Sequence, residues 1–429
     1  MSTKTSKYPE REQWDEILKR PTQEKANLES IVSGVFEAIK TNGDQALKEF
    51  TAKFDGAHLE QLQVTKTELA AASKDTPLEL KNAIDHAARN IEAFHKAQVA
   101  KEEHVITQPG VECWRKVTPI EKVGLYIPGG TAPLFSTVLM LAIPAKIAGC
   151  KEIVLCTPPN KEGKINPAIL YAASSIGCTK VFKLGGIQAV GAMAYGTESV
   201  PSVYKIFGPG NQYVTAAKQM ASLDGVAIDM PAGPSEVLVY ADETGNPEFI
   251  ASDLLSQAEH GADSQVVFVT CVERLIDDVK DAVKRQLSDL PRKEIAKKAL
   301  DNSVYILMKN EKEALALINE YGPEHLIIGA KNEALFIDQI TNAGSVFLGN
   351  YTPESAGDYA SGTNHTLPTN GYAKSYSGVS LDSYTKKITY QRISQEGLKT
   401  LGPVIEIMAE AEELFAHKNA VTLRLHDLK

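Results

Sequence analysis

The stretch VGLYIPGGTAPLFSTVLMLAIPAKIAGC, residues 123–150, sets the expectation for the fold. It begins with a short apolar run typical of a strand, passes through a loop of small residues, and continues as an apolar segment of helical length. The same order follows three more times, as EIVLC with NPAILYAASSIG, KVFKL with IQAVGAMAYG, and YKIFG with NQYVTAAKQMAS. Repeated strands and helices of these lengths predict βαβ units and a parallel sheet.

A second series of strand patterns begins at SEVLVYAD, residues 235–242, and includes SQVVFVTC, SVYILM, HLIIGA and SVFLG with helical segments between them. Two α/β domains are therefore expected. Residues 24–100 carry apolar positions at helical spacing and predict a helical opening region. The segment 351–371 is rich in Gly, Ser, Thr, Tyr and Asn, and so long an irregular stretch in a compact protein is usually functional or connects subunits.

The carboxyl-terminal sequence PVIEIMAEAEELFAHKN, residues 403–419, predicts one last helix. Its apolar side chains fall on a single stripe made by Val404, Ile407, Met408, Ala411, Leu414 and Phe415. Such a tail is not stable alone, so we expect it to dock on another surface.

Composition indicates an ordinary soluble globular protein, with 43% hydrophobic and 23% charged residues. The net charge of −9 disfavours nucleic acid and anionic membranes and fits a neutral or cationic small substrate. The first 20 residues lack the apolar core of a secretory signal, and the most apolar stretch, 134–150, contains Pro144 and Lys146 and is too short to span a membrane. Five scattered cysteines without a C-x-x-C pair predict reduced thiols, so a cytoplasmic protein is expected.

Three predicted strands end in loops of small residues that open helices: YIPGGTAPL at 126–134, KLGGIQAVG at 183–191 and IFGPGNQYV at 206–214. Backbone amides at such helix starts can hold phosphate groups, and the carboxyl ends of a parallel sheet are where α/β proteins bind ligands. The chain has neither G-x-G-x-x-G nor G-x-x-x-x-G-K-[ST]. A bound nucleotide and tight turns without a ligand therefore remain equal alternatives from the pattern alone.

Polar residues capable of chemistry gather in the second half of the chain. Gln257 and His260 stand three apart near the end of a helical pattern, where they can be metal ligands or simply a polar helix end. Glu324 and His325 adjoin a strand and form a possible acid/base pair, although this dipeptide is frequent. Other candidates in polar sequence are Glu354, Asp358, His365, Glu412 and His417. Two imidazoles with carboxylate and amide oxygens suit a divalent ion such as zinc.

Several distinctive runs occur in one order along most of the chain. They are VGLYIPGGTAPLFSTVLMLAIPAKIAGC, GGIQAVGAMAYGTESVP, KIFGPGNQYV, MPAGPSEVLV, DLLSQAEHG, YGPEHL and GDYASGTNHTLPT. In these runs the sequence resembles the histidinol dehydrogenase family, which makes L-histidine in the last steps of histidine biosynthesis. The resemblance implies a zinc-dependent and NAD-dependent four-electron oxidation of L-histidinol through L-histidinaldehyde.

The resemblance also implies residue roles. One Zn²⁺ per subunit would be bound by Gln257, His260, Asp358 and His417, with His417 supplied by the partner subunit of a homodimer whose active sites are shared. The ion would position the imidazole of the substrate. His325 would take the hydroxyl proton, and Glu324 would activate the water that hydrates the aldehyde. Substrate contacts would come from the four metal ligands and His325, and from Ser235, His365 and Glu412; NAD contacts would come from Tyr126, Gln188 and Asn211.

The fold implied is two α/β domains with incomplete Rossmann-like parallel sheets, a small helical N-terminal segment and an extended C-terminal tail. Residues 1–22 would be the N-terminal segment, and residues 23–125 and 237–378 a discontinuous α/β domain with the zinc and acid/base residues. Residues 126–236 would be the Rossmann-like domain with the NAD-contact loops. Residues 379–429 would be a tail and helix docking on the partner subunit.

Three other chemistries compete with this interpretation. An aldehyde can be oxidised through a cysteine thiohemiacetal, for which Cys113 and Cys150 are the candidates. A zinc hydrolase would use Glu324 as base without a nicotinamide, and a non-catalytic binding protein would keep the metal for dimer assembly alone.

Overall fold

The computed structural model describes residues 3–21, 26–129, 132–178, 180–231 and 233–428. Gly130 and Thr131, in the first glycine loop, lie outside the described residues. The helices are α1 (Trp14–Ile17), α2 (Ala26–Phe54), α3 (Lys66–Asp75), α4 (Leu78–Lys96), α5 (Phe135–Ala148), α6 (Pro167–Ile176), α7 (Gly186–Tyr195), α8 (Gln212–Leu223), α9 (Pro247–Ala258), α10 (Glu273–Asp289), α11 (Lys293–Asp301), α12 (Glu311–Tyr321), α13 (Ala334–Ile337), α14 (Glu354–Tyr359), α15 (Gln395–Ala411) and α16 (Phe415–Asp427). The strands are β1 (Lys4–Lys7), β2 (His104–Gln108), β3 (Val111–Pro119), β4 (Lys122–Tyr126), β5 (Glu152–Thr157), β6 (Lys180–Lys183), β7 (Lys205–Phe207), β8 (Ala227–Ile228), β9 (Glu236–Ala241), β10 (Gln265–Thr270), β11 (Val304–Leu307), β12 (His325–Gly329), β13 (Ser345–Leu348) and β14 (Thr385–Ile393).

The first α/β series forms a five-stranded sheet in the order β6-β5-β4-β7-β8, and all of its pairings are parallel. This confirms the parallel sheet predicted from the alternating runs. The chain moves from β4 to β5 and β6 on one side and then returns to β7 on the other, so the order reverses between β4 and β7. Ligands bind at such a switch point, beyond the carboxyl ends of the strands. Tyr126 and Phe207 are the last residues of β4 and β7.

The second series forms a six-stranded parallel sheet in the order β1-β11-β10-β9-β12-β13. Strands β9, β10 and β12 are buried along their whole length, as expected for a sheet covered on both faces. The amino-terminal residues belong to this sheet, because β1 pairs with β11. Arg20, which comes after β1 and α1, also binds to this sheet. Its Nε lies 2.6 Å from Oε2 of the buried Glu236 at the start of β9.

The chain divides into two compact units. The first contains the residues up to Gln98 together with Ile120–Tyr384, and therefore both parallel sheets. The second contains Val99–Pro119 and Thr385–Lys429, which form an antiparallel sheet in the order β14-β3-β2 and the helices α15 and α16. The domain limits expected from the sequence stay a prediction. Within the first unit, α2, α3 and α4 pack on α5 to α8 of the five-stranded sheet.

The last helix expected from the sequence is two helices, so the prediction of one continuous stripe was wrong. α15 ends at Ala411 and α16 begins at Phe415. Between them Glu413 adopts a left-handed φ of 59°, and the amide of Leu414 donates to the carbonyl oxygen of Ala409. A left-handed residue followed by this hydrogen bond is a common way to end a helix, and it turns the apolar side chains after it onto a new axis.

Within the described ranges, none of the helices combines the length and the apolar character needed to cross a membrane.

Candidate active site and dinucleotide pocket

Gln257 occupies the last turn of α9 and is completely buried. Its Nε2 donates to the carbonyl oxygen of Glu236 at 3.0 Å. A carbonyl only accepts hydrogen bonds, so this contact fixes which end of the amide is nitrogen. The opposite atom, Oε1, is buried and has no partner among the described residues. A buried acceptor without a donor is costly, and it is the kind of atom that a metal ion can satisfy.

Glu324 and His325 lie at the start of β12, next to β9, and both are buried. Oε2 of Glu324 accepts a hydrogen bond of 2.9 Å from the amide of Glu236. Nδ1 of His325 lies 3.1 Å from Nε2 of Gln257 and 3.3 Å from the carbonyl oxygen of Glu236. The backbone of Glu236 therefore holds both members of the expected acid/base pair and the expected ligand Gln257.

Two carboxylates of α14 face the imidazole of His325. Nδ1 of His325 is 3.7 Å from Oε1 of Glu354, and Nε2 is 3.4 Å from Oδ1 of Asp358. Burial on its own would lower the pKa of His325, but the charges of Glu354 and Glu324, with Asp358, raise it well above its ordinary value. One ligand atom from each of His325, Glu354 and Asp358 falls within 4.8 Å of the others, which is compact enough to hold a metal ion.

His365 joins the two parallel sheets through both of its ring nitrogens. Nδ1 lies 2.8 Å from the carbonyl oxygen of Asp358 and must carry the proton, because that oxygen only accepts. Nε2 lies 3.1 Å from Oγ1 of Thr137 on α5, which can then donate to it. Burial lowers the pKa of His365, which agrees with a neutral ring.

The remaining predicted residues have more open positions. Ser235 immediately precedes β9 and is half-buried, and His260 lies two residues beyond the end of α9 with its side chain exposed. Glu412 and His417 belong to the second unit, where Glu412 directly follows α15 and His417 lies on α16; both are exposed. The structure thus brings Gln257, Glu324, His325, Asp358 and His365 together at one edge of β9 and β12.

A second site lies at the carboxyl ends of the five-stranded sheet. A pocket of 1140 Å³ is lined by Tyr126, Gln188 and Asn211, the three residues expected to contact NAD. The hydroxyl of Tyr126 accepts from the amide of Gly186 at 3.2 Å, and Asn211 caps α8 by accepting from the amides of Tyr213 and Val214. Gln188 is buried, and its Oε1 finds no partner in the described chain.

The third glycine loop is held close to the end of β4. A Cβ added at Gly208, whose φ is +127°, would collide with the carbonyl oxygen of Tyr126. Both polar groups of the Gly208 residue are bound: its amide donates to Oδ2 of Asp229 at 2.8 Å, and its carbonyl accepts from Nζ of Lys218 at 2.9 Å. Lys218 and Asp229 also form a buried ion pair with each other. Backbone can approach a ligand closely only where such glycines are kept in place.

Cys150 does not resemble an activated nucleophile. All five cysteines are free thiols. Burial raises the pKa of Cys150 to about 12, whereas a nucleophilic cysteine needs a lowered pKa. Cys113 lies on β3 in the second unit.

Three residues in these sites were not assigned a role from sequence. Glu236 gave no signal because it is a strand residue that acts through its backbone. Asp55 lines the pocket beside Gln188 and gave no signal because it simply follows a helix. Glu354 was named as a candidate in the polar segment but was given no role. Its spacing of four from Asp358 puts both on one helix face, and this periodicity could have identified it.

Comparisons with known proteins find similar chains over nearly the whole length of this one. The family profile described as histidinol dehydrogenase matches residues 18–425. The histidinol dehydrogenase of Bacteroides fragilis is 62% identical over 426 residues, covering 99% of this chain and all of that protein. The enzyme of the same name from Escherichia coli is 53% identical over 421 residues, covering 97% and 96%. A crystal structure of histidinol dehydrogenase from Elizabethkingia anophelis has a TM-score of 0.97 at 57% identity, covering 99% and 98% of the two chains.

Proposed function

The chain belongs to the histidinol dehydrogenase family, and from this premise we propose that it oxidises L-histidinol to L-histidine through L-histidinaldehyde, using one zinc ion per subunit and two molecules of NAD. The observation that carries the proposal is the unpartnered Oε1 of Gln257 beside the buried pair Glu324 and His325. A metal-binding atom adjacent to an acid/base pair suits an oxidation in which the substrate is fixed by the ion and loses protons to the protein.

The residues present fit a zinc ion. Gln257 offers a buried amide oxygen without a partner among the described residues, Asp358 a carboxylate and His260 an exposed imidazole. We propose His417 of the partner subunit as the fourth ligand, which gives the nitrogen and oxygen set that zinc prefers. When bound, zinc would orient the imidazole of the substrate, and NAD would accept two electrons in each oxidation.

The chain's own groups then move the protons. When Nδ1 of His325 donates to the carbonyl of Glu236, Nε2 has a free lone pair, and Nε2 makes no hydrogen bond to the described residues. In this neutral form, which the charges of Glu354, Glu324 and Asp358 disfavour, His325 can take the hydroxyl proton of L-histidinol. Glu324, held by the amide of Glu236, would accept a proton from the water that adds to the aldehyde. Both groups are buried, which keeps bulk water away from the bound aldehyde.

Ser235, His365 and the partner's Glu412 would hold the amino alcohol. Glu412 suits a cationic amine. His365 contributes a neutral ring whose orientation is already fixed by Asp358 and Thr137. The four ligands and His325 would complete the substrate site.

A homodimer with shared sites is supported by the second unit. Its helices α15 and α16 and the turn between them expose several large apolar side chains, namely Val404, Ile407, Met408, Leu414, Phe415 and Leu423. A soluble chain rarely leaves so many apolar groups in water unless a partner covers them. We propose that a second copy covers this face and that His417 and Glu412 reach the partner's site from it. A cytoplasmic location is proposed from the five free thiols, which fit a reducing compartment.

The test is to incubate purified protein with L-histidinol and NAD and to measure NADH and histidine together. We expect about two NADH per histidine, loss of both after chelation, and recovery when zinc is restored. NADH formation that survives complete metal removal would contradict the zinc role. Zinc-replete folded protein that makes no NADH would contradict the oxidation and favour a hydrolase or a binding protein.

A further inference from the structure

The wall of the dinucleotide pocket contains a carboxylate that the proposed reaction does not use. Asp55 directly follows α2 and lines the pocket beside Gln188. Nε2 of Gln188 donates to Oδ2 of Asp55 at 3.1 Å. Burial raises the pKa of Asp55 to about 6, so at neutral pH the group is a partly desolvated negative charge. Charges of this kind are costly and are concentrated at functional sites.

Asp55 offers the pocket wall a carboxylate oxygen without a donor, next to the buried amide of Gln188. Because the amide nitrogen of Gln188 faces Asp55, its oxygen Oε1 faces elsewhere, and it is buried without a donor in the described chain. Oδ1 of Asp55 likewise receives no hydrogen bond from the described residues, since the one donor to this carboxylate reaches Oδ2. A ligand that satisfies this wall must supply hydroxyl or amide hydrogens.

The charges around the pocket are mainly negative. Its described lining includes Asp55, Glu68 and Asp75, one cation, Lys164, and no arginine. Glu68 is neutralised by Lys183, whose Nζ lies 2.5 Å away. Dinucleotide sites accept a 2′-phosphate through arginine and accept an unmodified ribose through a carboxylate that binds its hydroxyls. The described lining, with the carboxylate of Asp55 and no arginine, is of the kind that accepts an unmodified ribose.

We infer that Asp55 selects the unphosphorylated dinucleotide, by accepting hydrogen bonds from ribose hydroxyls and by repelling a 2′-phosphate. Asp55 would thereby be the residue that makes the pocket bind NAD in preference to NADP. This inference rests on the proposed use of NAD.

The experiment compares the binding of NAD and NADP by calorimetry to the full-length, zinc-loaded protein and to two variants. Asp55→Asn removes the charge and keeps a side chain of the same size. Asp75→Asn removes one charge from an exposed position of the same lining and controls for the overall charge of the pocket. We expect the wild type to bind NAD at least about tenfold more tightly than NADP, given the repulsion between two charges a few ångströms apart near a protein surface.

In Asp55→Asn the affinity for NAD should fall several-fold while that for NADP rises, so that the two become comparable. Asp75→Asn should change the ratio of the two affinities by less than about threefold, because exposed charges are well screened. The inference is overturned if the wild type binds both dinucleotides equally, if Asp55→Asn keeps the wild-type ratio, or if Asp75→Asn changes the ratio as much.

These failures are distinguishable from failure of the proposed function. If NAD binds and is reduced but the ratio does not depend on Asp55, the oxidation stands and only the selection is wrong. If the wild type binds neither dinucleotide, the proposed cofactor is wrong and the selection falls with it. Asp55→Ser serves as a second variant without charge, should Asp55→Asn not fold, and the same change in ratio is expected.

Discussion

Nε2 of Gln257 lies 3.0 Å from the carbonyl oxygen of Glu236, and the amide oxygen of Gln257 is left buried without a partner among the described residues. We expect Gln257→Leu to lower the affinity for zinc by at least about tenfold, because metal sites lose that much even when a supporting group is removed. Metal content after dialysis against a competing chelator measures the effect. Retention of a full zinc equivalent in Gln257→Leu would remove Gln257 from the ligand set.

A matched control is Gln265→Leu, because Gln265 is also buried but fully hydrogen bonded. Its Nε2 donates to the carbonyls of Lys19 and Asn302, and its Oε1 accepts from the hydroxyl of Tyr321. Loss of these three hydrogen bonds should lower the free energy of unfolding by about 3 kcal/mol. Zinc affinity of the folded protein should stay unchanged. Urea denaturation and the same metal assay separate the two glutamines.

Glu324→Gln should retain zinc and the first oxidation but stall before histidine. The amide oxygen of the new side chain can still accept from the backbone of Glu236, so the local geometry is kept while the basic carboxylate is lost. We expect NADH to form with little histidine, and the aldehyde to be recovered by trapping with a hydrazine. A normal rate of histidine formation in this variant would show that another group activates the water.

Mixtures of two inactive variants test whether active sites are shared. His325 belongs to the first unit and His417 to the second. If His417 serves the partner's site, a dimer of one His325→Ala chain and one His417→Ala chain contains one site with both histidines intact. We expect about half of the wild-type activity in isolated mixed dimers. Absence of recovery in dimers verified by mass spectrometry would count against sharing.

Strands and helices set by neighbouring residues could be predicted from the sequence, whereas contacts between residues far apart in the sequence could not. The run at 123–150 predicts β4 and α5, because the pattern of apolar and small residues that indicates a strand or the start of a helix lies within a few neighbouring positions. Strand β14 was not predicted: it is mostly exposed, and it pairs with β3 across more than 250 residues. The ligand set came from family resemblance, which also gave separate roles to Glu324 and His325, a pair that the sequence alone had indicated as one possibility among others. The contact between Asp55 and Gln188 joins residues 133 apart, and no local pattern indicates it.

Asp55 should also make the unliganded protein less stable at neutral pH than its asparagine variant. Burial raises the pKa of Asp55 to about 6 in the folded chain, and an unfolded aspartate has a pKa of about 4. The stabilisation from the protonated group is complete below about pH 4 and is lost as the pH rises towards about 6. The amide that replaces the carboxyl group in Asp55→Asn does not titrate, so the stability advantage of this variant should grow over this interval and stay constant above it.

Because Asp55 is only half-buried, solvent screening reduces the effect, and we expect an advantage of about 1 to 2 kcal/mol at pH 7 and almost none at pH 4. Urea denaturation of both proteins at several pH values measures it, and every other titrating group is the same in the two chains. An advantage that is equal at pH 4 and pH 7 would show that the Asp55 carboxylate is not destabilised by burial. A pH-dependent advantage combined with weaker NAD binding would show that the pocket retains a destabilising charge because the dinucleotide needs it.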